Sequence, residues 1–98
     1  MGDERFIAVY IMASRRLGTL YVGASGVLHR RIWEHREGVM QGFTRKYGVG
    51  RLVWYEPHED MVTAFQRERS LKRWPRQWKI NLIERDNPLW EDLYPSLW

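Results

Sequence analysis

The spacing of apolar and polar positions divides the chain into short strands and helices. Residues 6–12 (FIAVYIM) form an unbroken apolar run rich in β-branched and aromatic side chains, which reads as a buried strand. Residues 14–18 read as a turn and residues 19–25 (TLYVGAS) as a second strand, so the two are expected to pair as an antiparallel hairpin. A helix over 26–37 follows, capped by Ser25 and ended by Gly38. In it Val27, Leu28, Ile32 and His35 recur at helical spacing, with Arg31 on the same side. The glycine-bearing stretch to Gly50 reads as a loop, and residues 52–56 (LVWYE) as a third strand closed by Pro57. Glu59 and Asp60 stand where acids favour a helix N-terminus. The helix they open carries Met61, Ala64, Phe65, Glu68, Leu71 and Lys72 at steps of three and four. Pro75 breaks it and, as a first-turn proline, starts another helix through Trp78, Ile80, Leu82 and Ile83 that Asn87-Pro88 ends. The order ββαβαα predicts an α+β fold, a small antiparallel sheet with helices. One domain is expected over 1–98. Its core spans about 6–86, and a tail over 87–98 packs back through Trp90, Leu93, Tyr94, Leu97 and Trp98.

Composition narrows the classes of function. With 44% hydrophobic and 29% charged residues the chain can build a core and is not of disordered type. Its longest apolar stretch, 6–13, is far short of the roughly 20 residues of a membrane span. The flank Asp3-Glu4-Arg5 is not a basic leader, so the expectation is a cytoplasmic protein with no membrane partner. Absence of cysteine excludes disulfides, thiolate zinc sites and a cysteine nucleophile together. The net charge of +4 is unevenly spread. Between 67 and 79 stand Arg67, Arg69, Lys72, Arg73, Arg76 and Lys79 against Glu68 alone; after 80, Glu84, Asp86, Glu91 and Asp92 face only Arg85. A solvated helix face explains such a block, and so does a surface for an anionic partner. Most of the six tryptophans are expected to fill the core, although Trp74 and Trp78 interleave with the basic block, where base stacking is the alternative.

Three polar features break the pattern. Glu68 occupies an apolar stripe, where a carboxylate must be paired or bound to a metal. Arg31 and His35, four apart, place a cation and an imidazole on one side of the first helix, suited to phosphate binding or proton transfer and equally common on exposed faces. Tyr10 and Tyr21 hold equivalent places on the two hairpin strands, for cross-strand packing or for use of their hydroxyls.

Ala8-Val9-Tyr10, ten residues, then Tyr21-Val22-Gly23 resembles the GIY-YIG signature. Leu28-His29-Arg30-Arg31 with Glu34-His35 resembles the helix that supplies that superfamily's arginine and histidine. Arg67-Glu68 with Leu71-Lys72-Arg73-Trp74 resembles the helix of its metal-binding glutamate. Gly42-Phe43-Thr44-Arg45-Lys46-Tyr47 and Asn87-Pro88-Leu89-Trp90-Glu91-Asp92-Leu93 are similar to blocks of its short stand-alone bacterial branch, akin to excision-repair nuclease N-terminal domains. The resemblance implies a three-stranded antiparallel sheet flanked by helices and a nuclease that cleaves phosphodiesters with one divalent ion, Mg²⁺ or Mn²⁺. It makes Tyr10 and Tyr21 the motif tyrosines, one of them a base or water-orienting group. Gly23 becomes the point of close approach between backbone and substrate. Arg31 becomes the ligand of the scissile phosphate, His35 an aid to proton transfer and Glu68 the metal ligand. The sequence departs from the signature in Ala8, Val9, Val22 and Ala24-Ser25-Gly26, while the polar set is complete.

The leading expectation is therefore a metal-dependent endonuclease acting on DNA in repair, recombination or turnover. The alternative is a non-catalytic nucleic-acid-binding module using the same basic face, and a third reading is an interaction subunit docking through its aromatic tail. Arg30, Arg45, Lys46, Lys72, Arg76 and Lys79 are the candidate phosphate contacts, suited to backbone rather than base edges, so a protein partner would have to add specificity.

Overall fold

The structure, a computed structural model, describes residues 5–38 and 42–98. The elements are β1 (Ala8–Ala13), β2 (Leu20–Ser25), α1 (Leu28–Arg36), α2 (Phe43–Lys46), β3 (Arg51–Pro57), α3 (Met61–Arg73) and α4 (Arg76–Asp86), then a 3-10 turn, Tyr94–Leu97. The first strand is apolar throughout because it is the central one: the sheet order is β2-β1-β3, antiparallel on both sides, and all six residues of β1 are buried. Val9, Ile11 and Ala13 join a core with Val22, Ala64, Leu71, Ile83 and Trp90 under α3 and α4. Ala8, Tyr10 and Met12 join a second core with Leu28, Ile32 and Leu52 under α1 and the tail.

Local chemistry fixes the joints. In the hairpin turn the Thr19 amide donates to Ser14 Oγ at 3.0 Å, and a Cβ on Gly18 would stand 2.3 Å from that oxygen, so only glycine fits. Ile11 pairs with Trp54 but Met12 with Leu52, which makes Val53 the extra residue of a bulge and turns Val53 and Trp54 into one core. The first strand and first helix are shorter than the pattern predicts. Phe6 bridges Val27 instead, its amide donating to the Gly26 carbonyl at 2.8 Å and its carbonyl accepting from the Leu28 amide at 3.0 Å. Ser25 consequently does not cap α1; its Oγ accepts from the Val27 amide. Gly38, at φ +72°, ends that helix as expected. Asp60 caps α3, Oδ1 accepting from the Thr63 amide at 2.9 Å. Pro75 sits at the N-cap of α4, one place earlier than a first-turn residue.

Several expectations need correction. The loop before Gly50 contains the one-turn helix α2; its part at 39–41 lies outside the described residues. Phe65 is exposed rather than in the core, because α3 packs through Met61, Ala64 and Leu71. The tryptophans do not mostly fill the interior: Trp54 and Trp90 are buried and Trp74 is half-buried, while Trp33, Trp78 and Trp98 are exposed.

The tail is held by polar contacts that explain its acids. Asn87 Nδ2 donates to the Val53 carbonyl at 3.0 Å and to the Glu91 carbonyl at 2.9 Å, and Oδ1 accepts from the Glu91 amide. Trp90 Nε1 donates to Glu84 at 2.7 Å, and Asp92 takes Arg36 together with the Leu52 and Tyr94 amides.

Candidate active site

Antiparallel pairing sets Tyr10 opposite Gly23 and Met12 opposite Tyr21. The two tyrosines therefore lie diagonally on one face of the sheet, rings 6.3 Å apart, rather than at equivalent places. A Cβ on Gly23 would fall 2.5 Å from Tyr10 Cζ and Oη, so the glycine's missing side chain is occupied by the ring of Tyr10 and not by open space for substrate. α1 crosses the same face and delivers His35, four residues below Arg31. His35 Nε2 is hydrogen-bonded to Tyr10 Oη at 3.2 Å, and its ring lies 5.3 Å from that of Tyr21. Three rings from three elements thus converge.

The electrostatics divide their roles. Burial, then the nearby Tyr21, pushes the Tyr10 phenol well above its ordinary range, so it stays protonated at neutral pH. Burial, then the Arg31 guanidinium, lowers His35 to about 4, so the imidazole is neutral at pH 7 and can accept a proton. Arg31 is partly exposed, 3.6 Å from Glu34. Glu34 stands in the sequence only as part of the Glu34-His35 block, with no role of its own; its i,i+3 spacing from Arg31 is the signal for this pairing.

Glu68 comes from α3, on the other face of the sheet. Because β2 is an edge strand, the two faces meet along it, and Glu68 is near enough to Tyr10 to oppose its ionisation. Its side chain is 18% exposed and is paired with Lys72 Nζ at 3.1 Å, so both readings of the misplaced carboxylate stay compatible with the geometry. Among the described residues no group of three His, Cys, Asp or Glu forms a cage for a metal. One carboxylate with waters is nevertheless a donor set that suits Mg²⁺.

The candidate phosphate contacts separate. Exposed Arg45 lines a hollow of about 200 Å³ with His35, Arg36 and Val49, beside the ring cluster. Arg30 and Lys46 are exposed, and Lys46 lies 5.4 Å from the centre of the Tyr47 ring. Arg76 is a correction: its guanidinium donates to the Leu17 and Gly18 carbonyls at 2.7 and 2.8 Å and ties α4 to the hairpin turn. Lys79 is on α4, on the sheet face away from the tyrosines.

Comparison with known proteins identifies the fold. The family model described as the GIY-YIG catalytic domain matches residues 6–81. A UPF0213 protein of Clostridium perfringens is 35% identical over 75 residues, 76% of this chain and 80% of that one. A UPF0213 protein of Staphylococcus aureus is 31% identical over 67 residues, 68% of this chain and 82% of its own. The solution NMR structure of a UPF0213 protein from Bacillus halodurans superposes with a TM-score of 0.55 at 28% identity, covering 89% of this chain and 92% of that one. Among the described residues no helix is long and apolar enough to cross a membrane. The chain belongs to the GIY-YIG family of nuclease domains, the family that the tyrosine signature and its convergence on His35 indicated.

Proposed function

We propose that this protein is a metal-dependent endonuclease that hydrolyses phosphodiester bonds in DNA. The observation that carries the reading is the pairing of a phenol kept protonated with an imidazole kept neutral, 3.2 Å apart, beside Arg31. Arg31 is the group to hold the scissile phosphate, its planar guanidinium matching phosphate oxygens and offsetting their growing charge. His35 is the base: it accepts a proton from a water that the Tyr10 hydroxyl orients, and at neutral pH it has no proton of its own to lose first. Tyr10 is poorly suited to act as a phenolate base, since its surroundings oppose ionisation. Tyr21 completes the ring cluster. Glu68 is the residue to hold Mg²⁺ or Mn²⁺, exchanging its pairing with Lys72 for the ion; a bound divalent cation supplies charge stabilisation to the leaving oxygen. DNA repair, recombination and turnover are the settings that fit such an activity.

Cleavage of a panel of supercoiled plasmid, single strand, flap, four-way junction and RNA hairpin, with and without Mg²⁺ or Mn²⁺, tests this reading beside Glu68→Gln. Metal-dependent cutting by the wild type that falls on the order of a hundredfold or more in the variant is expected. Equal cutting by a purified Glu68→Gln sample removes the metal role. Binding without cutting anywhere favours the non-catalytic module.

A further inference from the structure

Trp74 and Trp78 flank the Pro75 break between α3 and α4; Trp74 is half-buried against the core, while Trp78 is 56% exposed. Their rings pack edge to face, centroids 5.8 Å apart at 78°, and the Arg67 guanidinium lies 5.3 Å from the centre of the Trp74 ring. With Asn81, Leu82 and Arg85 they line an open groove of about 500 Å³. Arg67 braces Trp74 and Trp74 braces Trp78, so the outer ring is ordered before any ligand arrives and little further freedom is lost on binding.

The charge around the groove selects an occupant. Trp74 and Trp78 stand in the stretch 67–79, where Glu68 is the only acid, while Asn81, Leu82 and Arg85 stand on α4 beside Glu84 and Asp86. Neighbouring carboxylates are paired: Glu56 accepts from Arg67 at 3.1 Å, Asp86 from Arg85 at 3.0 Å and Glu84 from Trp90 Nε1 at 2.7 Å. Exposed Arg69 and Arg73 lie along α3 between Glu68 and Trp74, and Arg69 lines a second hollow with Phe65, Glu68 and Lys72. A planar apolar ring beside a row of cations matches a planar base on an anionic backbone.

We propose that this groove docks one unpaired nucleotide of a nucleic-acid strand, its base stacked on Trp78 and its backbone following Arg73 and Arg69 toward Glu68. The inference rests on the reading that the substrate is nucleic acid, and adds to it a second contact on the sheet face away from Tyr10. Paired bases already stack on one another and offer no free face, so the occupant is single-stranded at that position.

Fluorescence anisotropy of a labelled oligothymidylate and of a blunt duplex, in EDTA so that metal-dependent cutting is suppressed, tests the groove with the full chain. Trp78→Ala should weaken the single strand by roughly five- to hundredfold, Trp78→Phe should restore most of it, and duplex affinity should not move. Equal single-strand affinity in Trp78→Ala overturns the proposal, as does an equal loss for both ligands. Unchanged oligonucleotide binding with a smaller hydrodynamic size in the variant assigns the groove to a second copy of the chain instead. Failure of the wild type to bind either ligand overturns this inference, and cutting of the substrate panel in Mg²⁺ decides the nuclease reading separately. Wild-type cutting in Mg²⁺ beside an unaltered Trp78→Ala removes the groove alone.

Discussion

At His35 two influences act in one direction: the ring is buried under α1, and Arg31 stands one turn away on the same helix. Both disfavour the imidazolium, so the folded chain releases the proton near pH 4 while the unfolded chain releases it near the ordinary 6.5. Between those values the unfolded state binds more protons, and stability must rise with pH. The contribution is complete above pH 6.5 and is lost as the pH falls toward 4. Urea unfolding from pH 7.5 to 4.5 is therefore expected to show a falling midpoint. His35→Gln, which cannot titrate, should flatten the part that carboxylates do not explain; an identical slope in both proteins would refute a depressed His35. The sequence showed His35 and Tyr10 as candidates but could not show this coupling. They are 25 residues apart, and burial, which sets both proton states, is a property of the closed fold.

Among the elements, those with enough residues to express a period were legible. β1, β2 and β3, and the two long helices on either side of Pro75, fall where the spacing of apolar residues and the prolines put them. α2 was not, since four residues cannot show a helical repeat. Phe65 was misassigned for a related reason: spacing gives the direction of a helix's apolar stripe but not its width, and Met61, Ala64 and Leu71 already fill the contact with the sheet. The tail's grip was also invisible, because it depends on Asn87 reaching the Val53 carbonyl, 34 residues away. That residue joins the end of α4, the bulge of β3 and the turn at Trp90 through three buried or half-buried hydrogen bonds. Asn87→Ala is expected to cost about 2–3 kcal/mol, since it strands backbone groups that water cannot reach. Asn87→Asp, which sets a carboxylate oxygen against the Val53 and Glu91 carbonyls, should cost at least as much. A loss under 0.5 kcal/mol on chemical denaturation would show that Trp90 and Asp92 hold the tail without Asn87.

For the whole molecule, the net charge of +4 misleads until the ion pairs are subtracted by location. The C-terminal acids are spent on structure: Glu84 takes the Trp90 indole, Asp86 takes Arg85, and Asp92 takes Arg36. Cations are spent too, and Arg76 is the clearest case, its guanidinium closed against two hairpin carbonyls. Arg45, exposed on the wall of the hollow beside His35, is placed to meet a phosphate. A census of basic residues ranks the two arginines alike, and the fold separates them. Binding of a duplex titrated against salt, without metal, reads the difference, because each phosphate contact adds about 0.9 to the slope of log K against log salt. Arg45→Ala should weaken binding and reduce that slope by about one contact's worth. Arg76→Ala should leave the slope as it is and lower the unfolding midpoint, its loss falling on the join between α4 and the hairpin turn. If the two substitutions exchange these effects, Arg76 leaves its carbonyls for the nucleic acid, and the binding face extends across the hairpin turn rather than ending at the His35 hollow.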